Sequence, residues 1–432
     1  MRGSTPFDVR RISSLLLLAS SGFGMVPASA QAPTGPASQE DINHMLLERI
    51  KDLEDQVQQL KADQAAFGES QAKALRAAVA PAAPPAAPPA AADIPEINEV
   101  APRLKLDVFA DVNAEKYTHI PDTFSFGSLD LFMTGQLSNK VSALGELLFI
   151  AQSDNSIGVD VERLLLKYRQ SDYLSATVGR FHTWVGYYNS TYNKAGFLET
   201  TTDRPFVYAF DDAGGVLPMQ DVGLNLTGRI PSGGMRLNYV FEVGNGRGWG
   251  LDTEPSQNKQ DANNSKSING GLFIRPARFS GLQAGFSVRH DNLTVPGPAV
   301  GETIATAHGV YNNGIWEILN EGVLVRHAQA GGDDSDTAAF YSQFSKRIKS
   351  VRPYFRYQYF NAPSDDPVYV YASPNEYVPS SVATFVGRLN GPSAGIRYDF
   401  TEDSAVKLQY DYYSFRNLPS ENGVTLQVAY SF

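Results

Sequence analysis

The chain of 432 residues contains no cysteine, so disulfides, thiolate metal sites and a lipid-modified cysteine anchor are all excluded. It has no long apolar run beyond its N-terminal segment, and its mean hydropathy is -0.25, which rules out a helical membrane span. A β-barrel is not excluded by this, because it spreads its apolar surface over every second residue. Histidine is scarce, at six, and no H-x-x-x-H, H-E-x-x-H or G-x-S-x-G spacing occurs. Neither a zinc centre nor an elbow serine is therefore indicated. The acidic run Asp333-Asp334-Ser335-Asp336 reads as a solvated loop rather than a calcium site. No metal and no cofactor is expected.

What is present is strand and turn material: 37 glycines, 11% aromatic residues and only 19% charged residues. The N-terminus joins Arg10 and Arg11 to the apolar stretch Ile12–Val26 and to Pro27-Ala28-Ser29-Ala30. That order is expected to be a secretory signal over 1–30, cut after Ala30. Residues 31–76 follow with an unbroken heptad, in which Asn43, Ile50, Val57 and Gln64 fall at a, and Leu46, Leu53, Leu60 and Phe67 at d. A lone helix of this length is marginal in water, so the seam is expected to associate as a coiled coil, with Asn43, Leu46, Ile50, Leu53, Val57 and Leu60 in the oligomer contact. Ile or Val at a with Leu at d formally favours two strands. Residues 77–100 are an Ala/Pro-rich spacer, semi-rigid and extended.

From 101 to 432 the period changes to two. Sixteen candidate strands lie near 104–114, 124–137, 140–151, 159–169, 173–182, 221–230, 234–244, 268–275, 281–291, 304–312, 315–326, 338–348, 351–360, 384–400, 404–415 and 423–432. Connections after even-numbered strands are tight, such as Ser171-Asp172 and Asn313-Gly314, while most after odd-numbered strands are longer. Short periplasmic turns alternating with long outer loops are what a transmembrane barrel requires. The expected fold is an all-β transmembrane, 16-stranded antiparallel up-and-down β-barrel with an N-terminal coiled-coil helix on the periplasmic side. The last strand, Gly423 to Phe432, alternates Val424, Leu426, Val428 and Tyr430 with Thr425, Gln427, Ala429 and Ser431, and is expected to close against Leu104 to Val112.

The third outer loop, Thr183 to Gln220, is aromatic rather than floppy and polar. Tyr187, Tyr188, Tyr192, Arg204, Tyr208, Asp211 and Asp212 are its candidate constriction residues if it folds into the lumen; the alternative is a loop that covers the mouth or packs on a neighbouring subunit. Strands four and five with the start of this loop, VERLLLKYRQSDYLSATVGRFHTWVGYYN, resemble the corresponding block of Gram-negative trimeric porins that carry an N-terminal coiled coil, the phosphate-selective and dicarboxylate-type porins. The resemblance implies a homotrimer of sixteen-stranded barrels in the outer membrane that takes up small anionic solutes.

Alternation assigns to the lumen Lys105, Arg163, Lys167, Arg229, Arg236, Arg275, Arg289, Arg347, Arg352, Arg356, Arg397 and Lys407, twelve basic residues. It also places there eight acidic ones, Asp107, Asp111, Asp130, Asp221, Glu242, Asp291, Asp399 and Asp411, whereas the segment as a whole holds 28 basic and 34 acidic residues. A lumenal ladder of arginine attracts anions, and Arg347, Arg352, Arg356 and Arg397 form its densest stripe. The rival account is that these arginines pair with carboxylates to fill and stiffen the interior. The expected function is passive diffusion of small hydrophilic solutes with a weak preference for anions such as small carboxylates or phosphate. The partners are outer-membrane lipid, anionic or neutral solutes, further copies of the chain and the cell wall through the coiled coil, with no nucleic acid. A structural tether whose barrel is only an anchor is the alternative, ahead of a membrane-embedded hydrolase.

Overall fold

The computed structural model describes residues 51, 103–119, 121–151, 156–192, 196–209, 216–249, 255–257, 263–293, 298–329, 331–369, 387–416 and 419–432. The signal segment, the spacer and the heptad positions from Asn43 to Phe67 lie outside the described residues. Eighteen strands follow in order. They are β1 Arg103–Tyr117, β2 Thr123–Gln136, β3 Val141–Ala151, β4 Ile157–Ser171, β5 Leu174–His182, β6 Gln220–Arg229, β7 Leu237–Gly244, β8 Arg247–Trp249, β9 Pro255–Gln257, β10 Ser267–Ile274, β11 Leu282–Leu293, β12 Val300–Asn312, β13 Trp316–Gln329, β14 Ser335–Lys346, β15 Val351–Asn361, β16 Arg388–Asp399, β17 Ser404–Phe415 and β18 Glu421–Ser431.

All but β8 and β9 form one closed antiparallel barrel of sixteen strands, each paired with its neighbour in sequence, and β18 returns to β1. These sixteen are the sixteen that the period-two pattern picks out. The small β8–β9 hairpin was not expected, since three-residue strands are too short to display an alternation.

Closure differs from expectation in register. β18 pairs with Phe109 to Tyr117, and Phe432 exchanges two backbone hydrogen bonds of 3.0 Å with Val108, leaving Arg103 to Asp107 paired only to β2. Strands in a closed barrel tilt and stagger, so the first and last cannot meet end to end. A bulge in β2, where Gly127 and Ser128 both stand opposite Asp111, lies beside that inward carboxylate, which accepts from Ser128 Oγ at 2.8 Å and Asn113 Nδ2 at 3.0 Å.

Facing follows the alternation. On β18, Val424, Leu426, Val428 and Tyr430 are exposed on the outer face while Thr425, Gln427 and Ala429 are buried inside. The same outward apolar band runs through Leu164 and Leu166 on β4, Phe286 and Val288 on β11, Phe340 and Phe344 on β14, and Leu408 and Tyr410 on β17. The turns between even and odd barrel strands are tight. In the Asn313-Gly314 turn, the Asn313 side chain accepts from the backbone N–H of Ile315 and Trp316 at 3.1 and 2.8 Å, and Gly314 supplies the positive φ of 83° that the reversal needs. The opposite rim carries the long connections, and the longest of them, between β5 and β6, enters the barrel. The largest buried apolar cluster forms where that segment, with Val185, Tyr188, Phe206, Tyr208 and Leu217, packs against Val310, Leu319, Val323 and Tyr341 of the inner wall.

Candidate functional site

The long β5–β6 connection is held in two halves by two kinds of wall residue. The first half is pinned by carboxylates. Glu242 on β7 accepts from the Trp184 N–H at 3.0 Å and from Asn225 and Asn269 at 2.6 and 2.7 Å. Glu321 on β13 accepts from the N–H groups of Tyr187 and Tyr188 at 2.5 and 2.9 Å, at the start of the helical turn Tyr187–Thr191, and from the hydroxyls of Tyr208 and Tyr341 at 2.9 and 2.5 Å. A carboxylate is acceptor-only with about four lone-pair sites, so these four donors saturate it. Gly186, at φ 88°, makes the approach possible: a Cβ there would lie 1.8 Å from the Tyr208 hydroxyl. Tyr188 stacks on Tyr208 with ring centroids 5.7 Å apart, and Tyr192 donates to Glu317 at 2.9 Å.

The second half rests on cations. Lys407 donates to the carbonyl of Gly196 and, at 2.7 Å, to that of Thr201, and Arg397 donates to those of Phe197 and Glu199, both at 2.7 Å. Arg356 reaches the Asp203 carboxylate at 2.7 Å and its carbonyl at 2.9 Å, and Arg352 reaches Thr200 Oγ1 at 3.2 Å. Arg204 lies over the Tyr188 ring, 5.4 Å from its centroid, with Glu199 at 3.8 Å. Burial pushes the Glu199 carboxyl up to about 7, against the opposing pull of Arg204 and Lys407. The densest stripe of expected lumenal arginine thus serves largely as the loop's seat: Arg356 and Lys407 are 0% exposed, covered by the chain they hold.

The remaining expected cations separate by depth. Arg163 is bonded to Glu146 and lies over Phe132, and Arg289 sits between Asp291 at 3.0 Å, Asp221 at 3.5 Å and Glu302 at 3.5 Å. Lys105 and Lys167 lie within the rim-side ends of β1 and β4, and Arg229, Arg275 and Arg347 at or just beyond the strand ends of the short-turn rim; all are exposed, Lys105 at 72%, Arg229 at 61% and Arg347 at 50% of the side chain. Arg236 is not in a strand. It follows the single turn Gly233–Met235 in the left-handed region at φ 48°, because the Pro-Ser-Gly-Gly stretch before it cannot extend the ladder. Asp211 and Asp212 lie outside the described residues.

Parity missed several interior acids. Glu146, Glu302, Glu317, Glu321 and Glu421 are buried and face inward, so among the described residues the inner wall has no basic excess. The reason is visible on β13. Its inner face alternates Glu317, Leu319, Glu321, Val323, Val325 and His327, apolar in part because the loop packs on it, while its outer face carries Asn320 and Arg326. Neither face is cleanly apolar, and alternation alone cannot assign them.

Near the long-loop rim a second buried network was likewise unforeseen. Arg247 of β8 is bonded to Glu302 and donates to the Val216 carbonyl at 3.1 Å. His327 lies between Glu302 at 3.1 Å and Asp366 at 2.9 Å, and Asp366 also accepts from Ser335 at 2.7 Å and from the N–H groups of Val368 and Tyr369. Burial by itself raises the Asp366 carboxyl, but the hydrogen bond and charge of His327 more than reverse this and hold it below the usual carboxylate range. Three connections, those containing Val216, Arg247 and Asp366, are thereby tied to one wall.

No family model and no curated sequence matches the chain. Solved structures do. An anion-selective porin from Comamonas acidovorans superposes with a TM-score of 0.55 at 13% identity, covering 77% of this chain and 100% of that one. The outer membrane channel DcaP of Acinetobacter baumannii gives 0.51 at 10% identity, covering 77% and 99%. Salmonella typhi OmpF, in complex with daunomycin, gives 0.50 at 13% identity, covering 76% and 97%. At these identities the likeness is one of fold, and the fold is that of outer-membrane porins.

Proposed function

We propose that the chain is a passive diffusion channel for small hydrophilic solutes, set in the outer membrane of a Gram-negative bacterium, with a weak preference for anions such as small carboxylates or phosphate. The observation that carries the reading is the inversion of faces: a sheet closed on itself, apolar outward and charged inward, suits lipid outside and solute inside. The β5–β6 connection is the element that narrows the passage.

The anion preference rests on exposure. A permeating ion responds to the charge it can approach, and the acids Glu242 and Glu321 of the wall are buried beneath their hydrogen-bond donors. The exposed cations of the short-turn rim remain: Lys167, Arg236 and Arg275 have no carboxylate partner among the described residues. Planar-bilayer recordings test this. Stepwise conductance and an anion-selective reversal potential are expected, and substitution of Lys167, Arg236 and Arg275 by Gln should move that potential toward the cation side. Absence of channel steps would sink the channel reading, and cation selectivity of the unaltered protein the anion preference.

Residues 1–30 are taken to direct export, and the heptad from Asn43 to Phe67 to join three copies on the periplasmic side. Deleting Gln31 to Ala92 should then impair assembly while leaving conductance in any barrel that inserts. We take the protein to be no enzyme. In the Ser335–Asp366–His327 group the carboxylate lies between serine and imidazole, so the imidazole is not placed to activate the hydroxyl.

A further inference from the structure

The lipid-facing edge of the short-turn rim between β10 and β15 combines three features. Apolar side chains project from its turns: Phe279 is 55% exposed, Ile315 54% and Ile348 53%. Two aromatic rings carry cations. Lys346 Nζ, at the end of β14, stands 4.4 Å from the centroid of Trp316, the first residue of β13, and the Arg278 guanidinium is 5.7 Å from that of Phe279. Phe344 extends the Trp316 platform at 5.4 Å. Finally, among the described residues neither Lys346 nor Arg278 is in an ion pair.

An indole at a membrane boundary places its ring in the glycerol and upper acyl region, and an ammonium over its face lies at the height of the phosphate. The two rims also differ in charge. The seven short turns hold six basic and three acidic residues, whereas the long connections hold six basic and fourteen acidic. Basic groups within a Debye length of a membrane surface favour anionic lipid. From this juxtaposition we propose that the Trp316–Lys346 edge is a binding site for an anionic phospholipid of the periplasmic leaflet. Lys346 takes the phosphate, and Trp316 with Phe344 takes the glycerol and first methylenes. The proposal rests on the reading of the barrel as membrane-spanning.

The chain has three tryptophans, Trp184, Trp249 and Trp316. Substituting the first two by Phe leaves Trp316 as the sole emitter in the full chain, reconstituted in phosphatidylcholine vesicles. Brominated phosphatidylglycerol, at equal mole fraction, should quench Trp316 at least twofold more than brominated phosphatidylcholine does, and Lys346→Gln should abolish that difference. Equal quenching by the two lipids overturns the headgroup site while conductance in the same vesicles upholds the channel. Absence of quenching by either overturns it too, by showing that a second copy covers the face. Should the tryptophan variants fail to fold, native mass spectrometry of the unaltered protein and of Lys346→Gln decides the matter: phosphatidylglycerol adducts are expected only on the former, and equal retention overturns the site.

Discussion

The Tyr208 hydroxyl donates to the Glu321 carboxylate across 2.9 Å, joining a residue of the β5–β6 connection to one 113 positions away on β13. Because the same carboxylate receives two backbone N–H groups of the connection, Glu321 is the point at which an inner wall and an inserted loop become one unit.

Glu321→Ala should release that point. Four buried donors lose their acceptor, a cost of about 3 kcal/mol or more. The unfolding temperature in detergent should fall, and single-channel conductance should rise and become noisier as the loop leaves its seat. Unchanged conductance would show that the loop does not control the passage.

Arg356→Met leaves the Asp203 carboxylate without its guanidinium and close to Asp411, a loss of about 2–3 kcal/mol for a pair buried on the arginine side. Adding Asp203→Asn should recover at least half of that loss. Thermal unfolding of the two single variants and the double variant closes the cycle, and strict additivity would argue against the contact.

Acid should firm the seat of the loop through Glu199. A carboxyl raised from 4.5 to about 7 by burial takes up its proton as pH falls from 8 to 6. The stability contributed by burying the neutral form is full below about 4.5 and is lost as pH rises through about 7. Unfolding temperatures in detergent at pH 8 and pH 6 measure the step, and Glu199→Gln should shrink it, bringing the pH 8 value toward that at pH 6.

Asp366→Asn replaces the acceptor of His327, Ser335, Val368 and Tyr369 by a neutral amide. The β15–β16 connection should come away from the rim and be cut several-fold faster by protease in the intact protein, with the barrel core resistant.

Much of the fold was legible because a closed barrel repeats one rule. Where Val424, Leu426 and Val428 alternate with Thr425, Gln427 and Ala429, one set faces outward and the other the interior, so side-chain polarity reports direction. The parity of short and long connections then orders the sixteen strands. The rule weakens where an inner wall is itself apolar. Leu319, Val323 and Val325 are as apolar as the outward-facing residues, and only the inserted loop explains why.

The amino-acid sequence by itself therefore determined the barrel, its strand count, its outward apolar band and the aromatic character of the β5–β6 connection, all of them consequences of local alternation and turn chemistry. Only the tertiary structure decided what the charges do. Arg356, Arg397 and Lys407 have the composition of a selectivity stripe, yet the carbonyls and carboxylate they bind come from residues 196–203, some 150 to 210 positions distant. No periodicity encodes that meeting. It follows from the closure of the barrel around its own longest connection, where buried cations lie deep enough to need acceptors and the loop backbone supplies them.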